Sequence, residues 1–259
     1  MRLRGGPAAL SLRGLSKSYG STLAVDRLDL EVPSGSFFGF VGPNGAGKTT
    51  TLSMATGLLR PDSGTAHVLG HDVWSGTSAA KRLVGILPDG VRLFDRLTGL
   101  QLICYMGLLR GMDREVVVGR AHELLDALGL AEAGGTLVVD YSAGMTKKIS
   151  LACALIHAPG LLVLDEPFES VDPISALAIR QILEGYAAGG GTVILSSHVM
   201  GLVQRLCDRV AIVASGRICA VGTLDEVRAG MTLEERFVDL VGGQTDVREV
   251  LTWLHTSSH

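Results

Sequence analysis

The stretch SFFGFVGPNGAGKTTTLSMATGLL, residues 36–59, leaves this chain few ways to fold. An apolar strand runs into a glycine-rich loop and then a helix, and Gly42 to Thr49 fit the spacing G-x-x-x-x-G-K-[ST]. Glycines at 42, 45 and 47, with Pro43, Asn44 and Ala46 between them, let the backbone curl so that successive N–H groups face phosphate oxygens. The helix starting near Lys48 adds its positive N-terminal end. Lys48 is placed to reach β- and γ-phosphates, the Thr49 hydroxyl to bind Mg²⁺, and Thr50 to extend the cradle. Such a loop says "nucleoside triphosphate" and no more, because kinases, GTPases and motors share it.

A second segment supplies what that loop lacks. LLVLDEPFESVDP puts Asp165 and Glu166 at the carboxyl end of a four-residue apolar run, where open α/β sheets bind their ligands. Asp165 suits a metal, directly or through water, and Glu166 suits a base that orients or deprotonates an attacking water. His198 closes the next apolar run, TVILSSH, within reach of the same phosphate. Alone it would mean little, since an isolated histidine is more often structural.

The remaining chain arranges itself around these two segments. Strand-like runs fill the N-terminal third, and residues from about 78 to 160 read as mainly helical, with amphipathic spacing in GLQLICYMGLLRGM and VVVGRAHELLDALGL. After them LLVLDEP and GTVILSSH return as short central strands, joined by PISALAIRQILEGYAAG as a crossover helix. The expected domain therefore spans 8–230, with its core at 8–77 and 161–230, an insertion at about 78–160, and a short tail at 231–259 that ends in a helix or frayed segment from Asp246. At 259 residues the chain can bury one large core. The mean hydropathy of +0.35 fits parallel strands covered on both faces, or such strands plus a surface covered by a partner.

Other classes are disfavoured. The longest apolar stretch, ISLACALIHAPGLLVL, is interrupted by Pro159 and Gly160 and is too short to cross a bilayer. A net charge of −3 gives no global basic excess, so nucleic acid is not expected as a partner. Cys104, Cys153, Cys207 and Cys219 lie far apart without CxxC spacing, which reads as reduced thiols. The opening MRLRGGPAAL has two arginines but no apolar run behind them, so no secretory signal is expected and the protein is expected to stay inside the cell.

Residues 141–148, YSAGMTKK, look like a second anion-binding turn at a helix start, with Ser142 as a helix cap. The order of phosphate loop, helical insertion, YSAGMTKK, LLVLDEP, SVDP and SSH resembles the ATP-binding cassette (ABC) ATPases over nearly the whole chain. Their signature turn is usually LSGGQ; Ser142 and Gly144 match it, while Tyr141, Ala143 and Met145 depart from it. The Tyr-Ser-x-Gly-Met form resembles cassettes of drug, lipid and polysaccharide exporters.

The resemblance implies an α/β fold with a P-loop NTPase (RecA-like) core, an N-terminal antiparallel β subdomain and a helical insertion. It implies ATP and Mg²⁺ as cofactors and two cassettes packed head to tail, so that Ser142 and Gly144 of one close over the ATP of the other. It further matches Tyr19 to the aromatic that stacks on adenine, Asp172 to the loop through which the two sites sense each other, and His198 to the switch histidine. It implies a separate transmembrane permease as partner and a place on the inner face of the cell membrane. The segment VRLFDRLTGLQLICYMGLLRG is either the docking surface for that partner or ordinary core packing. Exporter-like features are the stretch after SSH and the few residues beyond Gly243, where importer cassettes often carry a longer regulatory domain.

One position departs from the family. Where most members have Gln after the strand leading into the insertion, this chain has Asp89, in VGILPDG. A carboxylate cannot donate a hydrogen bond and would be a third acid near the metal. The consequence is either a tighter or rearranged Mg²⁺ or slower hydrolysis with altered coupling. Three rivals stay open: a soluble single-cassette ATPase acting in assembly, a P-loop kinase or GTPase, and a cassette that clamps ATP without turning it over.

Overall fold

The computed structural model describes residues 8–75, 77–90 and 93–242; the expected tail element from Asp246 lies outside them. Strands β1 (Ala8–Tyr19) and β2 (Thr22–Pro33) form an antiparallel hairpin, followed by β3 (Phe37–Val41) and α1 (Lys48–Ala55). Next come β4 (Ser63–Val68), β5 (His71–Asp72), α2 (Thr77–Leu83) and β6 (Val84–Leu87). Helices α3 (Gly99–Leu109) and α4 (Arg114–Ala127), a 3₁₀ turn at Val138–Asp140 and α5 (Ala143–Leu155) form the helical block. The chain then runs through β7 (Leu161–Leu164), α6 (Pro173–Ala188), β8 (Thr192–Ser197), α7 (Met200–Leu206), β9 (Arg209–Ala214), β10 (Arg217–Thr223), α8 (Leu224–Arg228) and α9 (Leu233–Val241).

Two sheets result. One is antiparallel, in the order β2-β1-β4-β5, and the other has the order β10-β9-β3-β8-β7-β6. In the second, β9, β3, β8, β7 and β6 are parallel and β10 closes one edge antiparallel to β9. Every residue of β3, β7 and β8 is buried, as expected for strands covered on both faces. The two-residue period divides them between two cores. Phe38, Phe40, Leu161, Val163 and Ile194 pack toward the antiparallel sheet and α1, while Phe37, Val41, Leu162, Leu164, Val193 and Leu195 pack toward the helices. Complete burial of Phe40 contributes roughly 2–3 kcal/mol, so this sandwich fixes where β3 ends and the phosphate loop begins.

Caps set the helix starts. Thr98 and Gln101 form a reciprocal capping box at α3, Asp113 caps α4, Ser142 caps α5 and Asp172 caps α6 with Pro173 at its first turn. The stretch read as mainly helical from about residue 78 opens on α2 but is then interrupted by a strand. Val84–Leu87 forms an edge strand of the core sheet, paired in parallel with β7. A four-residue apolar run cannot be assigned to strand or helix from periodicity alone. Its partner, far along the chain, decides.

Among the described residues no helix is long and apolar enough to cross a membrane. All four cysteines are free, with Cys153 and Cys207 buried and Cys219 exposed.

Candidate functional site

The phosphate loop joins the buried end of β3 to the start of α1, and sterics dictate its glycines. Gly47 has φ of 97°, and a Cβ there would stand 2.4 Å from the Ala24 carbonyl oxygen; only glycine meets both demands. Lys48 begins α1 and is buried. Its Nζ donates to the carbonyls of Gly42 at 2.8 Å and Pro43 at 3.2 Å and lies 3.4 Å from Glu166 Oε1.

Beside the loop, β7 delivers Asp165 and Glu166 at its carboxyl end. Both are buried, and Ser196, on the neighbouring β8, ties them together. Its hydroxyl donates to Asp165 Oδ1 and accepts from the Glu166 amide. Glu166 has φ of 45°, the left-handed region that costs a non-glycine residue about 1 kcal/mol or more. That turn directs its carboxylate back to Lys48 and to His198, whose Nδ1 is 3.1 Å from Oε2. Glu166 Oε1 is buried and has no hydrogen-bond partner among the described residues.

A cavity of about 480 Å³ opens over this cluster, lined by Tyr19, Ala24, Asn44, Gly45, Gly47, Lys48, Thr49, Thr50, Asp89, Glu166 and Glu169. Four segments distant in sequence therefore converge on one pocket. Tyr19 is 52% exposed at its rim, with Lys17 Nζ 6.0 Å from the ring centroid, so a flat aromatic face is available to a ligand. Asp89 reaches the pocket wall, although its carboxylate pairs with Lys147 Nζ at 3.6 Å.

The signature residues stand elsewhere. Ser142 caps α5 by accepting from the Met145 amide at 3.3 Å, and neither it nor Gly144 lines the loop's cavity. Gly144 lies against the start of α6, where an added Cβ would sit 2.6 Å from Asp172 Oδ2 and 2.8 Å from Ser175 Oγ. The starts of α5 and α6 thus form one unit, with Asp172 accepting from the amides of Ile174 and Ser175. These bonds, with those from the Ser175 hydroxyl, hold the Asp172 carboxyl below its usual range.

A second, larger cavity of about 590 Å³ lies between the helical block and the core, lined in part by Leu58, Leu87, Phe94, Met106, Tyr141 and Lys147. Asp89 and Glu169 line both cavities. Phe94 and Tyr105 meet edge to face at 5.3 Å, and Phe94, Tyr105, Leu108 and Leu109 are all exposed. Val91 and Arg92, at the start of the docking segment considered above, lie outside the described residues.

Sequence reading missed three participants: Ser196, Lys147 and Glu169. Ser196 stands two residues before a motif histidine, but nothing in the string shows that it joins the two acids at the end of another strand.

A family model described as ABC transporter matches residues 25–169, more than half of the chain. The chain belongs to the ABC transporter family. The daunorubicin/doxorubicin resistance ATP-binding protein DrrA of Streptomyces peucetius is 39% identical over 86% of this chain and 68% of its own length. The linearmycin resistance ATP-binding protein LnrL of Bacillus subtilis is 36% identical over 83% of this chain and 69% of its own. A solved ATP-binding subunit of an ABC transporter superposes with a TM-score of 0.84 at 28% identity, covering 90% of this chain and 99% of that one. This ABC cassette is therefore an ATP-binding ATPase subunit of the transporter type, with the P-loop fold and antiparallel subdomain that its strand order displays.

Proposed function

We propose that this cassette binds Mg-ATP in the cavity over the phosphate loop, hydrolyses it with Glu166 as base, and drives export through a separate transmembrane permease. The observation that carries the reading is the convergence of Lys48, Glu166 and His198. One carboxylate stands within 3.4 Å of a buried ammonium and 3.1 Å of an imidazole, at the mouth of a loop built to hold phosphates.

The donor set suits Mg²⁺ held jointly with phosphate oxygens. Among the described residues no group of three or more His, Cys, Asp or Glu could hold a metal alone, whereas Mg²⁺ commonly takes one or two protein ligands plus substrate phosphates. Thr49 and Asp165 are the fitting ligands; Asp89 also lines the pocket, but its carboxylate is paired with Lys147. When bound, the ion neutralises charge building on the phosphate oxygens. Lys48 supports the γ-phosphate, and the loop amides of Asn44, Gly45, Ala46 and Gly47 hold the chain of phosphates, while Gly42 and Pro43, which has no N–H to give, shape the loop and Thr50 stands beside it. Glu166 takes a proton from water as its oxygen bonds to the γ-phosphorus and the bond to the bridging oxygen breaks, releasing ADP and phosphate. His198 steadies both the carboxylate and the γ-phosphate, and Tyr19 offers its ring to adenine.

Ser142, Gly144 and Asp172 are left for a partner's nucleotide. Their cluster presents a capped helix start outside the cassette's own cavity, which fits two cassettes meeting head to tail. The 590 Å³ groove with its exposed aromatic pair is apolar enough to receive a permease segment, and the cassette then sits at the inner face of the membrane. Export is favoured because the named relatives are resistance proteins, and the Nod factor export ATP-binding protein I of Cupriavidus metallidurans is 36% identical to this chain. The division into a core, a helical insertion and a tail at 231–259 belongs to the same reading.

Affinity purification of the tagged chain from gently solubilised membranes tests it. A polytopic membrane protein recovered in stoichiometric amount is expected; recovery of soluble partners only would overturn the transporter assignment.

A further inference from the structure

We infer that Lys147 is a positioning residue for hydrolysis, one that holds the Glu166 peptide in its left-handed turn and keeps Asp89 engaged away from the metal. The inference rests on the ATPase reading above. Lys147 lies on α5, five residues beyond the Ser142 cap, and its side chain crosses from the helical block to the end of β7. Its Nζ donates to the Glu166 carbonyl at 3.0 Å and stands 3.6 Å from Asp89 Oδ1.

Both ends of the Glu166 residue are thereby fixed. Its amide donates to Ser196 Oγ at 3.0 Å; its carbonyl accepts from Lys147 and from the Glu169 amide at 3.2 Å. A φ of 45° at a non-glycine residue persists only where the surroundings over-determine it, and the bond from Lys147 is the charged member of that set. Releasing it lets the peptide relax and turns the carboxylate off the line between Lys48 and His198.

The same ammonium answers the question raised by Asp89. Two further carboxylates, Asp165 and Glu166, already stand at this strand end, and an unpaired third would repel them and compete for the cation. Lys147 compensates that charge from the helical side: its side chain is 19% exposed and that of Asp89 42%. Glutamine at position 89 would have needed no such partner.

The full-length chain is to be assayed for steady-state ATP hydrolysis and, separately, for ATP binding by calorimetry with Mg²⁺. Lys147→Met is expected to lower kcat about tenfold while the ATP dissociation constant stays within about twofold, because the phosphate loop is untouched. Lys147→Arg is expected to recover most of the rate. Asp89→Asn is expected to recover part of the rate lost in Lys147→Met, since it removes the carboxylate left without its partner. Should the methionine variant fail to fold, Lys147→Gln serves the same comparison. A Lys147→Met enzyme with wild-type kcat, or one that Asp89→Asn leaves equally slow or slower, would overturn the inference. A wild-type chain that neither binds nor hydrolyses ATP would instead overturn the ATPase reading, so the two failures are distinguishable.

Discussion

The ammonium of Lys48 and the carboxylate of Glu166 lie 3.4 Å apart in a buried pair, the one from the phosphate loop and the other from the end of β7. A buried charge pair is costly to break from one side. Here the arrangement also puts the cation that would meet a γ-phosphate next to the group that would take a proton from water.

Replacing Glu166 with Gln leaves the shape of the site and removes its basicity. ATP binding is expected to persist, hydrolysis to fall by roughly a hundredfold or more, and a nucleotide-dependent dimer to accumulate on size exclusion. Hydrolysis at the wild-type rate would take the base role away from Glu166.

Lys48→Ala removes the ammonium that bonds to the Gly42 and Pro43 carbonyls and leaves Glu166 buried without its counter-charge. Nucleotide affinity is expected to drop by at least about tenfold. An unchanged dissociation constant in a nucleotide titration would contradict the assignment of the loop.

Gly144→Ala places a carbon 2.6 Å from Asp172 Oδ2, so the carboxylate that caps α6, or the two helix starts themselves, must shift. The expected cost is about 1–3 kcal/mol. Asp172→Ala, which loses the cap of α6, is expected to cost about 0.5–2 kcal/mol by itself. The double variant should be less destabilised than the sum, because the closer of the two clashes goes with the carboxylate while that with Ser175 Oγ stays. Chemical denaturation of the three variants measures this, and strict additivity would mean that the two helix starts are not in contact.

His157 makes stability depend on pH. Burial, and next the guanidinium of Arg110 at 3.0 Å from Nε2, lower its pKa from 6.5 to about 4. The unfolded chain takes up this proton near pH 6.5 and the native one only near 4, so the stabilisation is complete above the upper value and is lost as pH falls through that window. The melting temperature should decline over this range, and His157→Gln should flatten the decline; an unaltered slope in that variant would assign the dependence to other groups.

Much of the site was legible as text, because backbone-directed chemistry demands particular residues at particular spacings. The phosphate loop, the acids after LLVL and the cap at Ser142 each follow from local rules, and Tyr19, Thr49, Asp89 and Glu166 do meet at one cavity. The resemblance added what no local rule contains, an expected use for the capped turn at Ser142 in a partner's site. The edge strand at Val84–Leu87 was not legible, since four apolar residues become a strand only when β7 lies beside them.

What the sequence by itself determined is the set of chemical groups and the strand-loop-helix units that present them, for these depend on neighbours a few residues apart. The tertiary structure alone decided which groups touch. Ser196 joins Asp165 to Glu166, Gly144 yields its space to Asp172, and Lys147 bridges Asp89 to the Glu166 carbonyl. Those contacts link positions from 19 to 58 residues apart, and their partners are set by strand order and by the packing of helices on the sheet, which no local pattern encodes.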